Sequence, residues 1–281
     1  MTSKTHHIQD MCLAVLATSD PHSKAETALK TAELWKSGAL VFSSLWKPSS
    51  EIGAPARPAK PELISPGKTP RRRMSSVQGR IALLHAIAHI EFNAIDLAFD
   101  LIARFGNEPC FSPKNQHDFI DDWIGVGQDE ARHFNMVEKR LNEMNAKYGD
   151  LPAHNGLWEA AESTRLNLAA RLAIAPLVLE ARGLDVTPPM IEKLMSAGDR
   201  ESADILRVIY SEEISHVAAG TRWFKFTCEN KKLDPKSHFQ FLVKKHFKGL
   251  VKPPFNTKAR DLADLTADFY EPLCVQGSGL A

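Results

Sequence analysis

From Ser75 onward, apolar residues recur at three- and four-residue steps, the period of a helix with one buried face. Ile81, Leu84, His85, Ala88, Glu91, Ile95 and Ala98 share one such face and predict a helix of about 30 residues ending near Gly106. The same period predicts a second helix from about Gln116 to Tyr148, before Gly149 and Pro152, and a third from about Asn155 to Arg182, stopping at Gly183. Asp199 caps a fourth that runs to about Asn230, and a short helix over 188–197, begun by Pro188–Pro189, fits between the third and fourth. Near the start, 8–18 and 22–38 read as short amphipathic helices, the second opened by Asp20–Pro21 and closed by Gly38. Strand-like alternation is absent. The expected fold is all-α, a four-helix bundle with additions at both ends.

Between the early helices and the bundle the texture changes. Pro48, Pro55, Pro58, Pro61, Pro66 and Pro70 come in quick succession, and Arg71–Arg73 closes the stretch. Proline fixes φ and donates no backbone hydrogen bond, so this segment is extended. It reads either as a solvated linker or as an arm over the bundle, with Leu63 and Ile64 to bury. The expected organisation is an N-terminal helical and proline-rich basic arm over 1–74, the bundle over 75–230, and a C-terminal helical extension over 231–281.

The predicted helices carry a polar set where apolar residues belong. The second contains Asp129–Glu130–Ala131–Arg132–His133, and the fourth Glu212–Glu213–Ile214–Ser215–His216. Residues three apart on a helix are neighbours, so Glu130 projects with His133 and Glu213 with His216. Leu206, Ile209, Glu213, His216 and Gly220 fall in one stripe, which marks that face as inward. The third helix adds Glu180 after an apolar run, and the first adds Glu91. Four buried carboxylates are prohibitive without compensation, since each buried ion costs several kcal/mol. Two divalent cations would supply it. One Glu from each of two helices plus Glu-x-x-His from each of two others is a di-metal carboxylate constellation. Oxygen and imidazole donors suit iron or manganese.

The acid before each glutamate extends the pattern. Asp129 stands four residues before His133 and Glu212 four before His216, so each can accept the second ring N–H of the histidine on its own helix. Glu212 is the alternative ligand in that register; the match to Asp129–Glu130 favours Glu213. Tyr210, three residues before Glu213, is a core aromatic or a hydrogen-bond donor to a ligand or substrate. His89 faces away from Glu91 and reads as a packing histidine, and Pro176, one turn before Glu180, should kink the third helix.

These residues resemble the ferritin-like di-iron carboxylate superfamily, and DEARH is similar to the D-E-x-R-H motif of bacterial di-iron monooxygenases. The segments LLHAIAHIEFNAIDLAFD, DEARHF, PLVLEARGLD and SEEISHVAAGTRWF look most like a bacterial ferritin-like family long carried as a domain of unknown function. The resemblance spans about residues 80–225. It implies the four-helix fold and six metal ligands: Glu91, Glu130, His133, Glu180, Glu213 and His216. It implies no substrate.

Composition narrows the function. Lys and Arg total 35 against 34 Asp and Glu, a net +1 that gives no electrostatic case for nucleic acid or a membrane surface. That total averages a front of +5 over residues 1–73 with a body of −4. Cys12, Cys110, Cys228 and Cys274 form no C-x-x-C pair, which excludes a rubredoxin-type iron site and favours a reducing compartment, the cytoplasm. No apolar run suggests a membrane span. The expectation is an enzyme holding two iron ions, or manganese or a mixed Fe/Mn pair, that uses O2 or peroxide on a small-molecule substrate, most plausibly as a hydroxylase. Electrons would come from a separate reductase, since no flavin or nicotinamide fingerprint is present. A homodimer is compatible with this reading. The alternatives are an iron-oxidising metal-handling protein, a tRNA-modifying hydroxylase that would use Arg71–Arg73, and a non-catalytic interaction protein.

Overall fold

The computed structural model describes residues 6–43, 45–65, 68 and 74–274. Its long elements are α3 (Val77–Phe105), α4 (Pro113–Glu143), a composite of α6 (Leu168–Ile174), a π-helical turn (Ala175–Glu180) and α7 (Ala181–Ser196), and α8 (Arg200–Asn230). Packing runs α3 along α4, α7 along α8, and α4 against α8, an all-α bundle. Capping residues fix the starts. Ser76 accepts from the Gly79 N–H, Ser112 from Asn115 ahead of Pro113, and Asp199 from Ser202. Asp199 also takes Arg80 of α3 and Arg140 of α4, each at 2.9 Å, and so pins three helices at one end.

The ends add to the same core. Helix α1 (Ile8–Ala17) lies on α3, and α2 (Pro21–Lys36), capped by Asp20, lies on α4. Two-residue strands, β1 (His6–His7) and β2 (Leu40–Val41), pair in parallel beside them. One apolar cluster runs from Ile8 and Cys12 through the bundle to Phe239, Phe269 and Tyr270 at the C-terminal end. There α9 (Pro235–His246), α10 (Thr257–Leu262) and α11 (Ala267–Tyr270) complete the described chain.

The proline-rich segment is an arm on the bundle. Ala56 N–H donates to Leu16, Ile64 N–H to Ala153, and Ala153 N–H to Glu62, all within 2.9 Å. Arg57 pairs with the buried Asp96 at 2.9 Å, and Asp96 also holds the fully buried Lys24. Of the two residues expected to give the arm something to bury, Leu63 is 47% exposed and Ile64 half-buried; Ile52, at 6%, is buried. Backbone pairing fixes the stretch around Leu63, and Arg104 donates to the carbonyls of Ser49, Ile52 and Gly53. Arg71–Arg73, Pro66 and Pro70 lie outside the described residues.

Three helix boundaries differ from the periodicity. The third helix is broken: α5 (Gly156–Ser163) ends at Thr164, whose hydroxyl bonds back to Ala160 and Ala161, and Asn167 caps a new start. Arg171 fills the break, donating to the Ala161 carbonyl and the Thr164 hydroxyl. Beyond it the chain does not stop at Gly183, nor does a separate helix start at Pro188. Helix α7 continues through both, and the Leu184 carbonyl, which Pro188 cannot serve, accepts from Asn256 at 3.2 Å. Finally, α4 ends at Glu143 because Asn145 takes a positive φ of 57°.

Among the described residues α3 is the one helix long and apolar enough to cross a bilayer, and 78% of that window is buried inside the protein. It is the central core helix, and it carries Glu91, Asp96 and Asp100 inward.

His85 on α3 accepts the backbone N–H of Gly149 at 2.9 Å, and burial pushes its imidazole down to about 4. The folded protein therefore favours neutral His85. Its contribution is complete above the unfolded value near 6.5 and is lost as pH falls toward 4. Partial solvent access trims the linkage to about 2 kcal/mol. The difference in urea unfolding free energy between pH 7.5 and pH 5 should shrink by about 1–1.5 kcal/mol in His85→Asn relative to the unaltered protein.

Candidate metal centre

Four helical elements each deliver acids to one point. Glu91 comes from α3, Glu130 and His133 from α4, Glu180 from the end of the π turn, and Glu213 and His216 from α8. One donor atom each from Glu91, Glu130, His133 and Glu213 lies within 4.8 Å of the others. His216 Nδ1 stands 3.1 Å from Glu130 and 3.8 Å from Glu213, and His133 Nδ1 3.2 Å from Glu91 and 3.7 Å from Glu130. Glu180 lies outside the tightest group but close enough for Glu130 and His216 to act on its charge. Side-chain exposure is 4% or less for Glu91, Glu130, His133 and His216 and 13% for Glu213, so the centre opens slightly on the Glu213 side.

Both imidazoles turn Nδ1 inward and Nε2 outward, and the outer partners are exchanged between helices. His133 of α4 meets Glu212 of α8 at 2.5 Å, while His216 of α8 meets Asp129 of α4 at 3.3 Å. The expected pairing within each helix is therefore corrected. An imidazole whose Nδ1, near its own backbone, faces the centre extends Nε2 across the helix gap to the neighbour. Arg132 closes the ring, donating at 2.7 Å to both Asp129 and Glu212. Sequence reasoning gave Arg132 no role; its place between Glu130 and His133 was the available signal. In this arrangement Glu213 faces the cluster and Glu212 the outer ring nitrogen.

The electrostatics are those of a crowded anionic core. Burial, then repulsion from Glu130, pushes Glu91 up to about 8 and Glu180 up to about 7, and raises Glu213 well above the carboxylate range. Burial also acts on Glu130, but the two imidazoles beside it, His133 and His216, outweigh it and hold that carboxyl well below its usual value. Against the burial penalty, the neighbouring carboxylates of Glu130 and Glu91 lift His133 to about 11, and those of Asp129 and Glu130 lift His216 well above normal. Both Glu130 oxygens, Glu180 Oε2, Glu213 Oε2 and His216 Nδ1 are buried without a hydrogen-bond partner. Orphaned polar atoms of this kind cost free energy unless something binds them. Converging carboxylate oxygens and imidazole nitrogens can hold a metal ion.

Glu180 owes its position to the π turn. Pro176 lacks an N–H, and the chain bulges there instead of simply kinking. Gly220 of α8 makes room for it: a β-carbon at 220 would sit 2.5 Å from Pro176 Cβ. Gly220→Ala should therefore cost about 1–3 kcal/mol, read as a lower thermal midpoint, and should loosen metal binding by displacing Glu180. The Tyr210 hydroxyl accepts from Asn256 at 2.9 Å and meets no carboxylate of the centre. His89 bonds the Tyr148 hydroxyl and the His154 carbonyl, a satisfied packing histidine.

A family model described as "Protein of unknown function (DUF455)" matches residues 17–271. The chain belongs to the DUF455 family. This DUF455 protein is 40% identical over 211 residues to an uncharacterized protein of Haemophilus influenzae, covering 75% of this chain and 73% of the relative. All six inward residues fall within the family match, together with Asp129, Arg132 and Glu212. No solved structure matches.

Proposed function

We propose that this DUF455 protein is a ferritin-like di-metal oxidoreductase, a hydroxylase that uses O2 or peroxide to oxidise a small molecule. The observation that carries the reading is the set of orphaned carboxylate oxygens and inward Nδ1 atoms at one point in the bundle. Two iron ions, or manganese or a mixed pair, fit that set: four carboxylates balance two divalent charges and two imidazoles complete the ligation. Bound there, such metals supply redox chemistry with oxygen and Lewis acidity.

The chain's own residues prepare the site. With metal displacing the Nδ1 protons, Glu212 and Asp129 would keep the Nε2 protons of His133 and His216, and each Nδ1 lone pair would face the centre. Arg132 pairs with both acceptors and so ties α4 to α8. Phe92, Phe134 and Ile95 are fully buried and contribute to a dry interior, which limits loss of reactive species to water. The carboxylates carry donor atoms in excess of those a single geometry uses, so they can shift as charge develops. Electrons come from a separate reductase, and the cysteines are free thiols.

Anaerobic reduction of iron-loaded protein followed by O2 tests this. The reading expects a transient oxidised absorbance whose decay accelerates with a substrate, at about two irons per chain. Uptake of many irons per chain without substrate-dependent decay would instead establish metal handling.

A further inference from the structure

The π turn that ends in Glu180 also walls two adjoining cavities. The larger, about 610 Å3, lies between the outer face of α3, the 151–163 stretch and the chain after α9, a size typical of small-molecule sites. The smaller, about 210 Å3, lies under the C-terminal additions. Leu179, Arg182 and Phe247 line both, so the two spaces share a wall or a throat. The larger is lined chiefly by apolar groups such as Ala82, Ala86, Ile90 and Leu157.

The smaller chamber has a polar end. Tyr270 lines it and is 1% exposed, and its hydroxyl has no hydrogen-bond partner. Arg260 stacks over the Tyr270 ring at 4.4 Å, and Arg182 and Lys252 line the same space; among the described residues no carboxylate does. Asp185 pairs with Arg260 and Arg182, and Asp185, Asp261 and Glu271 lie near enough for their charges to act on the Tyr270 hydroxyl, but the charged side chains that line the chamber itself are the three cations. A buried phenol donor with no acceptor, in a cation-lined chamber, calls for a ligand oxygen carrying negative charge.

We propose that the two cavities together bind a linear apolar carboxylic acid. Its carboxylate accepts from Tyr270 among Arg182, Lys252 and Arg260, and its chain lies past Leu179 and Phe247 in the larger cavity. The binding site stands on its own geometry; calling the bound acid a substrate rests on the metal-centre reading, because Leu179 adjoins Glu180.

Calorimetric titration of the full chain with dodecanoate, dodecanol and dodecylamine tests the proposal, run on metal-free and metal-loaded protein. Saturable one-to-one binding that favours dodecanoate is expected. Tyr270→Phe should weaken dodecanoate about tenfold or more, as loss of a hydrogen bond to a charged group does. Ala86→Trp should block the chain in the larger cavity, with thermal midpoints confirming that both variants fold. Absence of saturable dodecanoate binding overturns the proposal. So does equal affinity for the amine, or unchanged binding in both variants. Binding to metal-free protein that takes up no metal keeps this site and sinks the metal reading; metal uptake without dodecanoate binding does the reverse.

Discussion

Loading the protein with two equivalents of Fe(II) per chain under anaerobic conditions should raise its thermal midpoint by about 15 °C or more, and Glu213→Gln should abolish the rise. A ligand at a thousand times its dissociation constant stabilises the folded state by about 4 kcal/mol per site. In a chain this long, each kcal/mol moves the midpoint by about 2–4 °C. The variant separates metal binding from folding. Burial, and then repulsion from Glu130, already disfavour an ionised Glu213. A neutral amide relieves both, so metal-free Glu213→Gln should be at least as stable as the metal-free parent. A variant that holds or gains stability without metal and loses all response to it identifies a residue kept for the ion. Differential scanning calorimetry of the four states checks it. An equal loss of stability with and without metal would assign Glu213 to packing alone.

Asp100→Leu should cost about 3–5 kcal/mol, because it strands two buried guanidinium groups. Asp100 on α3 accepts from Arg104 at 2.6 Å and from Arg171, and all three side chains are fully buried. Arg104 ties the proline-rich arm to α3 through the carbonyls of Ser49, Ile52 and Gly53. Arg171 spans the break between α5 and α6. One carboxylate thus anchors both interruptions of the bundle. Urea denaturation should show a much lower midpoint for Asp100→Leu, with Asp100→Asn between it and the parent, since the amide keeps one acceptor oxygen. A midpoint within 0.5 kcal/mol of the parent would show that the two arginines find other partners.

These two networks mark the limit of what the sequence displayed. Helices α3 and α8 were legible almost to the residue, because Asp199 and the stop at Gly106 are local signals and the apolar period is uninterrupted. Glu130–His133 and Glu213–His216 were legible as a set for the same reason: three-residue spacing on one face is a local geometric fact. The outer ring was not. Spacing relates Asp129 to His133, but the structure pairs Asp129 with His216 and Glu212 with His133, and only the approach of α4 to α8 decides that. Pro188–Pro189 looked like a helix start, yet Asn256, far along the chain, satisfies the carbonyl that lets α7 run on. Leu63 and Ile64 looked like the anchors of the arm because they are apolar; Ile64 is half-buried and Leu63 exposed, and Arg57 reaching Asp96 and the buried Ile52 hold the arm as well.

Metal stoichiometry tests the central claim most directly. Purified protein dialysed against Fe(II) or Mn(II) without oxygen, then analysed by elemental mass spectrometry, should carry about two ions per chain, and Glu130→Ala, which removes the carboxylate between the two histidines, should carry none. No metal on the parent protein, or the same metal content in Glu130→Ala, would contradict the account.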